Sequence, residues 1–156
     1  MDNGMSVEER KRVADVIMDL FADTYCIYIH TQSAHWNLIS PQFYALHILL
    51  QKQYEELAES IDAIAERVRS LGLHVDASFS SLKRRSHLKN RAFEEKKQDF
   101  SLIEDLVLDH EHMAKRYRSK IGFCQQNQDE MSGDLIIKQL TFHEMAAYLL
   151  RSHLIK

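Results

Sequence analysis

Nine histidines fall in a chain of 156 residues that also carries 23 acidic side chains, enough imidazole and carboxylate to hold a transition metal. Helical di-metal bundles do this with two glutamates and two Glu-x-x-His pairs aimed into their own core. No glutamate of this chain has a histidine three residues later, so that arrangement is unsupported. A different pattern lies further along. At about 100° per residue, His47, Gln51, Glu55, Ala58, Asp62, Ala65 and Glu66 form a stripe beside an apolar face of Leu50, Leu57, Ile61 and Val68. His47 and Asp62 stand about 22 Å apart along such a helix, too far to share an ion within one chain. Two copies packed antiparallel about a two-fold axis, crossing near Glu56, would set His47 and Gln51 of one against Asp62 and Glu66 of the other. Ala58 and Ala65 leave room for the second backbone, and His35 lies near the His47 end in chain order. Imidazole nitrogen with carboxylate oxygen suits Fe²⁺, and Zn²⁺ fits the same ligand types. The stripe also reads as a solvated helix face with ordinary surface histidines, and spacing alone leaves both readings open.

The elements that must carry these residues are helices. With Gly 4 and Pro 1, the chain lacks the punctuation that sheets joined by tight turns require. Apolar residues at Val13, Val16, Ile17, Leu20, Phe21 and Ile27 keep helical spacing from about Val7 to Asn37. Ser6, with Glu8 and Glu9 after it, marks the start. Ser40 and Pro41 break the pattern and predict a capped second helix running from Pro41 to about Leu71, closed by Gly72. Residues 73–97 lose the periodicity, and a short helix is expected around Leu82–Leu88. The third helix is expected from about Asp99 to Gln126 and the fourth from about Glu130 to Leu154. Two short links and one long middle connection predict an all-α, ferritin-like four-helix bundle, with a crossover between its second and third long helices. A chain of this length fits one domain, expected over residues 1–156.

Composition excludes several function classes. A net charge of −3 gives no global signature of nucleic-acid binding. Cys26 and Cys124 stand too far apart for any Cys-x-x-Cys site and read as packing residues in a reducing compartment. No run of 18 apolar residues suggests a membrane span, and the N-terminal MDNGMSVEERKRV lacks a signal-peptide core, so the expected address is the cytoplasm.

Several runs taken together resemble the Dps family, the miniferritins. They are YCIYIHTQSAHWN at 25–37, FYALH at 43–47, YEELAESIDAIAERVRSLG at 54–72, Asp109-His110-Glu111, and HEMAAYLLRSHL at 143–154. The resemblance spans about residues 10 to 154. It implies a dodecameric hollow cage with a short extra helix in the crossover. It also implies a ferroxidase that oxidises Fe²⁺ with hydrogen peroxide, or oxygen, at two-fold interfaces. Ferric mineral is then stored inside, which protects against oxidative damage. Carried over by position, His35 and His47 are the imidazole ligands of one subunit. Asp62 and Glu66 are the carboxylate ligands of its partner, and Glu66 is able to bridge two ions. Trp36 sits beside the site. One position departs from the family pattern: Gln51 stands where a carboxylate is usual, and a neutral amide weakens one iron position, with Glu55 one turn on as a compensating acid through water. Such a site would bind one or two irons, with Zn²⁺ as a substitute.

The resemblance leaves other readings open. A DNA-coating protein with decayed ferroxidase activity would use the basic stretch Lys83, Arg84, Arg85, Lys89 and Arg91, since Arg10, Lys11 and Arg12 are accompanied by Asp2, Glu8 and Glu9. A cage that binds divalent metal without turnover is the other. Asp129, Glu130 and Asp134 read either as an iron-entry pore or as acids complementing a helix dipole. His110, His112 and His143 read as core or surface-network residues, and His30 falls where the family commonly has a basic residue.

Overall fold

The computed structural model of the chain describes residues 4–89 and 100–154. Five helices follow in order: α1 Val7–Asn37, α2 Phe43–Ser70, α3 Phe79–Arg85, α4 Phe100–Gln126 and α5 Glu130–Ser152. Among the described residues there is no strand. The starts of helices are chemically marked. Ser6 Oγ accepts from Glu9 N–H while the Glu9 carboxylate accepts from Ser6 N–H, a reciprocal capping box at α1. Ser78 caps α3 and Asp129 caps α5 by accepting from Ser81 and Ser132 backbone N–H groups. Gly72, at φ 86°, takes the left-handed conformation that lets Leu73 N–H reach back to the Val68 carbonyl and close α2.

Three expected boundaries move. Helix α2 begins at Phe43 with Gln42 as its cap residue, not at Pro41. Ser40 instead holds the turn, its Oγ accepting from Gln42 N–H and its carbonyl from Phe43 N–H. The short crossover helix starts three residues earlier than Leu82 and ends at Arg85, because Ser78 caps it and Ser86 turns away into extended backbone. Helix α5 ends at Ser152. Asp99, the expected start of the third long helix, and Arg91 lie outside the described residues.

The long helices pack as two hairpins, α1 with α2 and α4 with α5, joined face to face through α1–α4 and α2–α5 contacts. Three apolar clusters fill the interior. One, at the α1 start and α2 end, contains Val13, Phe21, Val68 and Leu71. A middle cluster contains Leu20, Leu57, Met113 and Ile136. The third gathers Ala34, Leu46, Ile103 and Leu150. Helix α4 thus begins at the opposite end of the bundle from where α2 stops, and the crossover must travel its length. On the way, α3 is strapped to α1: Arg85 pairs with Asp15 at 2.7 Å and Asp19 at 2.6 Å. Buried Asp23 accepts from Ser86 Oγ and His87 N–H and lies 2.7 Å from Arg116 Nε on α4. At the far end of α2, Arg67 reaches Asp129 at 2.7 Å and Ser132 at 2.8 Å, fixing where α5 starts. This is the crossover four-helix bundle that the segment pattern predicts.

Candidate metal centre

The α1–α2 turn brings His35 and His47 together. Their rings stack with centroids 3.8 Å apart. His35 Nδ1 lies 3.0 Å from the His47 carbonyl, and His47 Nδ1 lies 3.2 Å from the His35 carbonyl. A carbonyl can only accept, so each ring donates through Nδ1–H. Each Nε2 then keeps its lone pair, the tautomer that a metal ligand needs, fixed by a backbone acceptor on the far nitrogen. Tyr54 packs edge-on against His35 at 5.2 Å, and Phe43 lies against His47 at 4.9 Å. These two aromatic supports are absent from the sequence reading of the site, although Tyr54 is seven residues beyond His47, two turns along the same helix.

Helix α2 is continuous from Phe43 to Ser70, so the stripe stays on one side of one rod. Asp62 and Glu66 are exposed, as are Glu55 and Ala58. Gln51 donates through Nε2 to Glu55 Oε1 at 2.8 Å. That bond leaves the Gln51 carbonyl oxygen as the atom available to a cation. Trp36, in the last turn of α1, is 68% exposed beside the buried His35. Among the described residues of one chain, no three His, Cys, Asp or Glu side chains gather into a metal-holding group. The imidazoles are brought together, while Asp62 and Glu66 stay further along the helix.

The remaining candidates separate. His110 and His143 are fully buried, with Nδ1 atoms 2.9 Å apart and each Nε2 without a hydrogen-bond partner. Burial pushes His110 down to about 4, and burial with the neighbouring His110 holds His143 well below its ordinary value. They are neutral core residues, and His112 is exposed. Asp129 is buried, caps α5 and pairs with Arg67, while Glu130 and Asp134 remain exposed. Burial works to raise the Asp129 pKa, but bonds from Ser132 and Arg67 outweigh it and hold the carboxyl below its ordinary value. Of the basic stretch, Arg85 is committed to Asp15 and Asp19, which leaves Lys83, Arg84 and Lys89 exposed. No helix among the described residues is long and apolar enough to cross a membrane.

Comparison with known proteins agrees with this architecture. The ferritin-like domain family matches residues 15–156. A low temperature-induced protein of Nostoc sp. is 33% identical over 96% of this chain and 83% of its own length. The DNA protection during starvation protein 2 of Bacillus anthracis is 29% identical over 92% of this chain and 97% of its own. Among solved structures, DpsC from Streptomyces coelicolor superposes with a TM-score of 0.92 at 24% identity, covering 100% of this chain and 91% of that one. The Dps protein of Vibrio cholerae, described as a member of a broad superfamily of ferritin-like diiron-carboxylate proteins, gives 0.91 at 22% identity over 99% of this chain and 96% of that one. The chain therefore belongs to the ferritin-like family and, within it, to the Dps miniferritins.

Proposed function

We propose that this chain is an iron-oxidising and iron-storing miniferritin, with its Fe²⁺ substrate bound between two copies of α2. The observation that carries the reading is the reciprocal clasp of His35 and His47, which presents two Nε2 lone pairs with both tautomers fixed. Two-fold packing of the α2 stripe brings Asp62 and Glu66 of a second copy to those nitrogens. The carboxylates supply the negative charge that two neutral imidazoles lack, and Glu66 is able to bridge two ions. The Gln51 carbonyl oxygen takes the position where an acid would bind more firmly, so one iron is held more weakly than the other. Hydrogen peroxide accepts one electron from each of two Fe²⁺ ions and leaves as water, so hydroxyl radical is not released. Oxygen serves as the slower oxidant. Trp36 stands beside the site to intercept stray oxidising equivalents. Twelve copies close the cage in which ferric mineral is stored.

The test uses two inactive variants and their mixture. His35→Ala/His47→Ala and Asp62→Ala/Glu66→Ala are each loaded anaerobically with Fe²⁺ and given peroxide, and the ferric absorbance is followed. Each alone is expected to lose more than about 100-fold in rate, the upper end of what even supporting residues of metal sites cost. Co-expressed in one assembly, the two recover part of the activity, because every mixed interface holds one intact site. Mixed assemblies with no recovery overturn the shared site. Wild-type protein with no ferric rise above the buffer blank overturns the oxidase reading.

A further inference from the structure

Tyr54 stands two turns beyond His47 on α2 and meets the His35 ring edge-on, with centroids 5.2 Å apart and planes at 77°. It meets Tyr28 of α1 in the same manner, at 6.3 Å and 85°. Edge-to-face contact is an attractive arrangement of aromatic rings, so two neighbours from α1 hold this phenol in place. The rings of His47, His35, Tyr54 and Tyr28 form a continuous run, with centroid steps of 3.8, 5.2 and 6.3 Å. All four belong to the α1–α2 hairpin of a single chain, so these contacts do not depend on how copies pack.

Packing alone asks only for a ring at this position, and phenylalanine would make the same edge contacts. What the phenol adds is chemistry, because it can give up an electron and its hydroxyl proton together. Another tyrosine in contact with a histidine shows the contrast. Tyr117 stacks on His143 at 5.3 Å, is fully buried, and lies with its hydroxyl 3.0 Å from that of Thr24. There the hydroxyl has a structural use in the core, one helix hairpin away from the His35–His47 pair.

Hydrogen peroxide takes two electrons, and an Fe²⁺ ion gives one. Two irons side by side supply both. In the site proposed above, one iron position has the neutral Gln51 carbonyl oxygen as a ligand, so a site carrying a single Fe²⁺ is a recurrent state. A lone Fe²⁺ reduces peroxide by one electron only, to hydroxide and hydroxyl radical.

We propose that Tyr54 supplies the second electron when a single Fe²⁺ occupies the site, a role that rests on the iron-oxidising reading above. The oxygen–oxygen bond of peroxide breaks as Fe²⁺ gives one electron and the phenol of Tyr54 gives the other. The phenol proton and one proton from solvent complete two waters, and Fe³⁺ and a Tyr54 phenoxyl radical remain. A later Fe²⁺, with one more proton from solvent, reduces the radical back to phenol and becomes Fe³⁺. The sum is two Fe²⁺ oxidised for each peroxide, with no hydroxyl radical, although the two irons arrive one after the other. Tyr54 acts through the His35 ring and is a redox partner of the site, not a metal ligand.

The experiment uses the assembled protein in a Trp36→Phe background, so that no indole radical overlaps. Anaerobic protein loaded with one Fe²⁺ per chain is mixed with hydrogen peroxide and frozen at intervals for electron paramagnetic resonance, while ferric absorbance is followed in parallel. A tyrosyl radical signal is expected to rise with the ferric absorbance and to vanish when more Fe²⁺ is added. Loading two Fe²⁺ per chain before peroxide is expected to shrink it. Tyr54→Phe keeps a ring against His35 and is expected to lose the signal and to release more hydroxyl radical to a spin trap. A ferric rise without a tyrosyl signal, a signal of unchanged size in Tyr54→Phe, or one that does not shrink with the second Fe²⁺ overturns the proposal and leaves the iron-oxidising reading standing. Absence of both the ferric rise and the signal in this background and in wild type overturns that reading, and this proposal with it.

Discussion

Two pairs of histidines lie in this bundle, and they do opposite things with the same ring. At the α1–α2 turn, His35 and His47 each face a backbone carbonyl through Nδ1. In the core between α4 and α5, the Nδ1 atoms of His110 and His143 face each other at 2.9 Å. A carbonyl is an unambiguous acceptor and dictates a tautomer. A second imidazole is not: one ring must donate and the other accept, so the two Nε2 atoms of the core pair end in different protonation states. The first pair keeps two lone pairs at the edge of the bundle. The second is sealed, with both Nε2 atoms unpartnered, and burial holds it neutral. What the far nitrogen touches, more than the presence of two histidines, separates a pair that presents two Nε2 lone pairs from a sealed one.

The sharpest way to break this contrast is to remove one member of the core pair. His143→Ala should destabilise the protein by about 3 kcal/mol, since it opens a cavity and strands the His110 Nδ1 in the interior. Iron oxidation per folded chain should stay within about twofold of wild type. Denaturant titration and stopped-flow absorbance check the two halves, and iron oxidation that falls along with stability would mean that the core pair belongs to the chemistry.

Acid should sharpen it next. In the folded chain His110 stays neutral down to about pH 4. In the unfolded chain it takes a proton below about 6.5. The unfolded state therefore binds more protons between these values, and stability falls as pH falls through that window. Between pH 7 and pH 5 the loss from this one ring is on the order of 2 kcal/mol. Chemical denaturation at the two pH values measures it, and His110→Leu/His143→Leu should flatten the dependence. His30 has the opposite sign. Its pKa is raised to about 9, so its contribution is complete below about 6.5 and is lost as pH rises through 9.

The smallest effect concerns the outer pair's weakest neighbour. Gln51→Asp puts a charge where the amide oxygen now lies and removes the bond to Glu55. It should raise iron affinity or oxidation rate by about 10-fold, read by anaerobic titration. An unchanged titration would show that the position does not touch the metal.

Much of this molecule is legible along the chain because helices write their periodicity locally. The α1 limits follow from Ser6, Glu9 and the apolar spacing from Val13 onward, and the α2 end follows from Gly72. The crossover helix is harder: Phe79-Ser80-Ser81 carries almost no apolar pattern, and α3 depends on the Ser78 cap and on Arg85 reaching Asp15 and Asp19, some 70 residues away. The polar stripe is legible as a pattern on α2, but the clasp that sets the tautomers of His35 and His47 is not, because it runs through backbone carbonyls that sequence spacing does not display. Cys26 and His30 are one turn apart in plain view. Only the fold supplies Asp109, 79 residues beyond His30, whose carboxylate lies 2.8 Å from the His30 ring.

The clasp at the α1–α2 turn has one more consequence. The same pair of bonds that latches this hairpin also selects the tautomers of its two rings. A nascent chain whose hairpin is still ajar leaves His35 and His47 free to swing and exchange protons, so it offers no ready-made donor pair. Folding thus acts as an interlock, arming the imidazoles only after the hairpin has shut.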